Sequence, residues 1–278
     1  MPLSAMVDGE LVCAPLMPDD RWAALRGERV VLQPCGHPGF ARVSGLGTRH
    51  FVHTRDSDCH PGESAEHLHL KAVVARAVAD AGWTPGTEVP GPGFVADVLA
   101  THDSRRVAIE VQRSKQVLRQ YRERQDTYNA AGVRAVWLVR SIPAGHLDGP
   151  ELPLFLVTDW VGQEACVVVG RKVPVPALVT ALLSGKCHWQ DTVDAQRRLT
   201  GRVALLCPVC GRRREVVVDE WLQGRCTCGL PVLRPAPART TTDARCCGYW
   251  GPALAIGLRR NAVGADEPVA HGHWCLSA

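Results

Sequence analysis

A chain of 278 residues with 46% hydrophobic and 22% charged residues is globular in composition and long enough for one large or two smaller domains. Its apolar runs stop short of the roughly 18 to 20 residues needed to cross a bilayer, and the start MPLSAMVDGELVC lacks the basic and apolar regions of a signal peptide, so a cytoplasmic location is expected. The formal charge of +4 is modest for a nucleic-acid binder, and twelve cysteines in reducing surroundings read as metal ligands or buried thiols rather than disulfides.

Residues 1–28 are weakly patterned, with a short helix around RWAALRG. VVLQPCGHPGFARVSGLGTRHFVH then reads as short strands broken by Gly and Pro, a small β module. Cys35, His37, His53, Cys59 and His60 offer thiolate and imidazole ligands for zinc, with buried cysteines and loop histidines as the alternative. From Glu63 to Ala81 the spacing predicts an amphipathic helix with Leu70, Val73, Val74, Ala77, Val78 and Ala81 in one stripe. Glu63, Glu66 and His67 continue that stripe at the N-terminal end, where they would point into a cleft or simply complement the helix dipole; Lys71 follows His67 by four residues.

Pro85, Pro90 and Pro92 leave at most a short edge strand around Thr87 to Val89. Residues 93–115, GFVADVLATHDSRRVAIEVQRSK, then read as two strands joined at Asp103-Ser104. A symmetric hairpin about that turn opposes residues whose numbers sum to 207, so Asp97 faces Glu110 and the two carboxylates share a face. Alternation sends Val107, Ile109 and Val111 to the core and Ala108, Glu110 and Gln112 to the other side. Ser114 is the expected N-cap of a helix over 115–131 that ends at Gly132, and VRAVWLVR, 133–140, is a buried strand beside the hairpin. The expected order is helix, three strands, helix, strand.

Beyond 141, LPLFLVTDW and CVVVG read as strands, and VPALVTALLSG and WQDTVDAQRRL as helices. Cys207 and Cys210 form a CxxC knuckle, and Cys226 and Cys228 a second tight pair, a set suited to one tetrahedral Zn²⁺. Cys246, Cys247, His271, His273 and Cys275 are a weaker further set.

The chemistry suggested by Asp97 and Glu110 is phosphodiester hydrolysis. Paired carboxylates hold Mg²⁺ or Mn²⁺. The Val111 carbonyl would add a ligand, Glu63 or Glu66 would reach the ion directly or through water, and Gln112 would orient water or phosphate. Arg105, Arg106, Arg113, Lys115, Arg119, Arg122 and Arg124 outnumber Glu110 and Glu123 in the surrounding 20 residues, a basic excess suited to a polyanion such as DNA or to an ordinary solvated face.

The succession ESAEHLHLK, VADVLA, IEVQRS, RERQDTY and VRAVWLV resembles the CoiA-like competence proteins, and GTRHFVH before a cysteine is similar to their small N-terminal module. The resemblance implies an α/β fold with a PD-(D/E)XK restriction-endonuclease-like αβββαβ core. It places Asp97, Glu110 and Gln112 at the active centre, with Glu63 on the preceding helix and His67 as a further candidate. Gln112 stands where the wider superfamily has lysine, which leaves Lys71 and Lys115 as substitutes for activating water. The layout is then a β module over 1–60, a nuclease-like domain over 61–200 with a helical extension, and a zinc-ribbon-like region over 201–278. The expected function is metal-dependent DNA cleavage in uptake, recombination or defence. DNA binding without cleavage, or a zinc-dependent platform for DNA-processing partners, are the alternatives.

Overall fold

The computed structural model describes residues 2–54, 63–146, 149–158, 160, 165–169, 171–190, 194–206, 213–225, 231–235, 257–260, 266–269 and 273–276. The first element is a hairpin of β1 (Ser4–Val7) and β2 (Glu10–Cys13), turned at Asp8-Gly9 where both residues have positive φ. Asp-Gly between alternating apolar residues is a strong hairpin signal, because both residues tolerate the left-handed conformation. After α1 (Asp19–Ala24), β3 (Arg29–Leu32), β4 (Pro38–Val43) and β5 (Arg49–His53) complete an antiparallel sheet of order β2-β1-β3-β4-β5. Ala5, Leu32 and Phe51 are fully buried in its core, with Trp22 tilted onto Phe51.

The expected order follows. Helix α2 (Ala65–Asp80) is capped by Ser64, whose hydroxyl accepts from the His67 N–H at 3.2 Å. Then come β6 (Thr84–Gly91), β7 (Phe94–His102), β8 (Arg105–Gln112), α3 (Leu118–Ala130) and β9 (Arg134–Val139). Strand β6 is longer than Pro85, Pro90 and the following Pro92 suggested. It lies on the sheet edge, where a missing N–H costs little. Helix α3 starts later than expected and Ser114 does not cap it; Gln120 closes its first turn by accepting from the Val117 N–H at 3.1 Å. Gly132, at φ 65°, ends the helix as expected.

Strands β10 (Leu154–Thr158), β11 (Cys166–Val169) and β12 (Arg171–Pro174) extend the sheet to seven strands in the order β12-β11-β10-β9-β8-β7-β6, and α4 (Val175–Leu183) follows. The sheet is parallel only where β8, β9 and β10 meet. Leu70, Val74 and Val78 of α2 and Leu178 of α4 pack on one face with Ile109, Val111 and Val136. Tyr121 and Tyr128 of α3 pack on the other with Ala108 and Trp137. Fully burying an aliphatic side chain contributes about 1.5–3 kcal/mol, so the continuous Val-rich strands bind both helical layers tightly.

The helix expected over WQDTVDAQRRL is absent among the described residues: β13 (Cys187–Gln190) and β14 (Asp194–Leu206) are strands. β14 pairs with β15 (Arg213–Arg225), which pairs with β16 (Pro231–Pro235); β17 (Gly257–Arg260) pairs with β18 (Asp266–Val269). The partner of β13 is β19 (His273–Leu276), so Trp189 lies opposite Trp274. Trp274 enters the main core against Phe155, with ring centroids 5.3 Å apart. Among the described residues no helix is long and apolar enough to cross a membrane. Trp274→Ala is expected to destabilise the protein by about 3–5 kcal/mol, measured as a fall in the urea midpoint.

Candidate cation and phosphate site

His67 and Lys71 are four apart, which stacks their side chains along one line in the first turns of α2, and Glu63 directly precedes the Ser64 cap. Lys71 has no exposed surface. Its ammonium lies 2.8 Å from Glu63 Oε1, 2.5 Å from Glu88 Oε1 and 3.8 Å from Asp97 Oδ1. A lone ammonium buried this way would cost several kcal/mol, so the carboxylates are its condition for being there. Burial opposes the charge, but Glu88, Asp97 and Glu63 together hold Lys71 protonated well above the ordinary lysine range. A protonated, enclosed amine cannot take a proton from water, which removes Lys71 as the expected substitute base.

Glu88 was not among the expected site residues. Pairing of Thr87 with Val98 and Val89 with Ala96 sets it opposite Asp97. Its φ is 50°, a left-handed conformation that costs a non-glycine residue roughly 1–2 kcal/mol. Its second oxygen accepts from the Leu3 N–H at 3.2 Å, so the start of the chain is tied to the same cluster. The turn at Pro92-Gly93 was the available signal. Counting back from it gives the register that opposes Glu88 to Asp97.

The β7–β8 hairpin has the expected register, with Val98 opposite Ile109 and His102 opposite Arg105 around the Asp103-Ser104 turn. The shared carboxylate face does not follow. Ala96 packs on the α3 side and Val98 on the α2 side, so alternation breaks at Asp97. The break turns Asp97 toward α2, 3.6 Å from His67 Nε2, while Glu110 stays on the α3 side. The two acids instead reach each other's backbone. Asp97 Oδ2 accepts from the Val111 N–H at 2.9 Å, and Glu110 Oε1 from the Asp97 N–H at 3.2 Å. Burial opposes ionisation of Asp97, but the contact with His67, the Lys71 charge and the Val111 N–H outweigh it and hold the carboxyl below its ordinary value.

In place of the expected Asp97–Glu110 pair, ligand atoms of Glu63, His67 and Asp97 come within 4.8 Å of one another. Glu63 Oε2 and His67 Nε2 are buried without a hydrogen-bond partner, while Glu63 Oε1 is the oxygen given to Lys71. Three carboxylates against one ammonium leave a formal surplus of two negative charges around Lys71, counting His67 as neutral. Orphaned buried polar atoms, an O/N/O donor set and this charge fit a divalent cation. Glu66 stands outside the group and pairs with Arg113 at 3.1 Å.

Glu110 is buried and fully engaged. Tyr128 donates to Oε1 at 2.5 Å, and Arg124 pairs with Oε2. Arg124 also donates to Gln112 Oε1 at 3.2 Å and lies 4.5 Å from the centre of the Trp137 ring. Gln112 Nε2 donates to the Ser114 carbonyl and hydroxyl, so its amide holds Arg124 and the following turn rather than standing free for water. A cleft of about 510 Å³ opens here, lined by His67, Asp97, Val111, Gln112, Arg113, Ser114, Arg124 and Arg140. Arg140 was missed; it follows the last residue of β9, beside Gln112, and its N–H donates to the Gln112 carbonyl at 3.1 Å.

The other expected basic residues are dispersed. Arg105 lies over the Trp83 ring and Arg106 donates to the Ala131 carbonyl, both at the end of β8 remote from Glu110. Arg119 pairs with Glu123 on the surface of α3, Arg122 is exposed, and Lys115 is exposed outside the cleft lining. Linear clustering spread these charges along a strand and a helix; only Arg113 and Arg124 of that set, with Arg140, meet in the cleft.

A second cluster gathers in the N-terminal sheet. Ligand atoms of Cys35, His37 and His53 lie within 4.8 Å of one another, with Cys35 Sγ 3.2 Å from His53 Nε2. Thiolate and imidazole suit zinc. Cys59, His60, Cys207, Cys210, Cys226, Cys228, Cys246, Cys247 and His271 lie outside the described residues; His273 falls in β19 and Cys275 is buried there.

Burial and the neighbouring Asp97 charge push Glu110 up from 4.5 to about 7, against the pull of Arg124, Tyr128 and the Asp97 N–H. A carboxyl raised on folding binds its proton more tightly in the folded state, so its contribution is greatest below the unfolded value and is lost as pH rises to the folded one. The Tm of the unaltered chain relative to Glu110→Gln is therefore expected to fall between pH 4.5 and about 7, followed by thermal melts across that window.

No curated protein and no solved structure matches the chain significantly. Residues 63–144 match the model of the family described as competence protein CoiA, nuclease-like domain. The matched stretch runs from Glu63 past the end of β9 and includes Lys71, Glu88, Asp97, Glu110, Arg124 and Arg140. The segment that carries the site, residues 63–144, is therefore similar to the CoiA nuclease-like domain.

Proposed function

We propose that this chain is a divalent-cation-dependent DNA nuclease of the PD-(D/E)XK type, with Glu63, His67 and Asp97 as the cation ligands. The observation that carries the reading is the junction of the Glu63–His67–Asp97 group, in which Glu63 Oε2 and His67 Nε2 lack hydrogen-bond partners, with a cleft walled by Arg113, Arg124 and Arg140. When bound, a divalent cation neutralises charge developing on a phosphoryl oxygen and makes water a better nucleophile.

The protein's own residues do the rest. Lys71 holds one oxygen of Glu63 and, after His67 and together with the Val111 N–H, favours the ionised form of Asp97. Arg140 and Arg113 supply charge along the cleft for the phosphodiester backbone, and Arg124 is aimed by Glu110, Gln112 and Trp137. Glu110 enters the ligand set only by releasing Arg124. Imidazole in the donor set favours Mn²⁺ over Mg²⁺. DNA uptake is the setting that the family description suggests, with recombination and defence separated from it by the DNA form cleaved.

Binding of DNA without cleavage is the second reading, favoured by the full engagement of Glu110 and by glutamine at 112. Incubation with single-stranded, double-stranded and branched DNA separates the two. Cleavage is expected with Mn²⁺, less with Mg²⁺ and none with EDTA, and Asp97→Asn is expected to lower it by at least about 100-fold. Arg140→Ala is expected to raise KM about tenfold with kcat retained, the loss of one phosphate contact. Salt-sensitive binding without metal-dependent products would establish the second reading.

Structural zinc is proposed at Cys207, Cys210, Cys226 and Cys228 and at the Cys35, His37 and His53 cluster. Metal analysis is expected to show one equivalent lost in Cys207→Ser/Cys210→Ser and a separate one lost in Cys35→Ser; unchanged zinc in either variant removes that site.

A further inference from the structure

The edge strand β6 contributes an acid to the site without contributing it to the cleft. We propose that Glu88 is a positioning residue of the cation site, acting through Lys71 to leave one oxygen of Glu63 and one of Asp97 available to a divalent cation. The proposal rests on the cation-dependent reading above.

Glu88 makes the shortest of the three carboxylate contacts to Lys71, at 2.5 Å against 2.8 Å for Glu63 and 3.8 Å for Asp97. Its other oxygen is taken by the Leu3 N–H, so both of its oxygens are spent inside the protein. Glu63 and Asp97 divide theirs. Each gives one oxygen to Lys71 and turns the second to the side of the cluster occupied by His67, where Glu63 Oε2 has no hydrogen-bond partner and Asp97 Oδ2 accepts from the Val111 N–H, at 2.9 Å. Because Glu88 balances the buried ammonium, Glu63 and Asp97 need not be consumed in doing so. Its residue is held at a positive φ in a strand, a conformation kept only where the surroundings over-determine it. Those surroundings are Lys71 on one side and the N-terminal strand on the other, where Ser4 and Thr87 also join their hydroxyls.

Charge gives the proposal its test. Removing the Glu88 charge takes the formal surplus around Lys71 from two negative charges to one, whereas removing Lys71 and Glu88 together leaves it at two. The experiment is Mn²⁺ titration of the zinc-loaded full chain by calorimetry without DNA, with thermal melts to verify folding. Glu88→Gln is expected to weaken Mn²⁺ binding at least about tenfold, and Lys71→Met/Glu88→Gln to bind more tightly than Glu88→Gln alone. A residue that merely braced the fold would make the double variant no better than the single.

Unchanged affinity in Glu88→Gln, or a double variant as weak as the single, overturns the positioning role while leaving the cation site in place. Absence of Mn²⁺ binding by the unaltered chain overturns the cation site and this role with it. Should Glu88→Gln not fold, the double variant decides alone: an affinity within about tenfold of the unaltered chain supports the role, and a larger loss overturns it.

Discussion

The ammonium of Lys71 is the interaction on which the rest of this structure depends. An amine with no exposed surface needs carboxylates around it, and the three that surround it come from separate places: the residue before the Ser64 cap, the edge strand and the first strand of the long hairpin. Satisfying that one charge therefore fixes the first turns of α2 against the edge of the sheet. It also draws in the start of the chain through Leu3, which packs with Leu68 and Ala72 of the same helix.

The break in alternation at Asp97 separates the chemistry onto two faces. Had the hairpin kept strict alternation, Asp97 and Glu110 would have faced each other on the α3 side, two like charges in a low-dielectric space. With the break, Asp97 meets Lys71 and His67 on one face and Glu110 meets Arg124 and Tyr128 on the other. The backbone N–H groups of Asp97 and Val111 join the two halves. The cleft is where they converge, with Asp97 and His67 from one side and Arg124 and Gln112 from the other. Guanidinium groups of Arg113, Arg124 and Arg140 thus stand beside the Asp97 carboxylate and the His67 imidazole in one cleft.

Much of the framework was legible because it rests on local rules. The 3.6-residue stripe located α2, the Asp103-Ser104 turn set the hairpin register, and Gly132 marked the end of α3. Asp8-Gly9 was an equally local signal and identifies β1–β2 when read as a turn. WQDTVDAQRRL misled because its helical pattern competes with strand pairing, of Trp189 and Gln190 to β19 and of Asp194 to Leu199 to β15. Ser114 misled in a different way. It has the chemistry of a cap, but its hydroxyl accepts from Gln112 at 2.6 Å instead.

By itself the sequence determined the α2–β6–β7–β8–α3–β9 order and brought Glu63, His67 and Asp97 forward as candidates, since these follow from periodicity, turn chemistry and spacing along one helix face. Only the tertiary structure decided which acids stand together. A one-residue loss of alternation reverses the face of a side chain while leaving the register intact, and no residue type at Ala96 or Asp97 announces it. Arg140 entered for a related reason, placed by the end of a parallel strand that pairs with a segment distant in sequence, whereas the position of Glu88 opposite Asp97 follows from the Pro92-Gly93 turn and only its contact with Lys71 needed the tertiary structure.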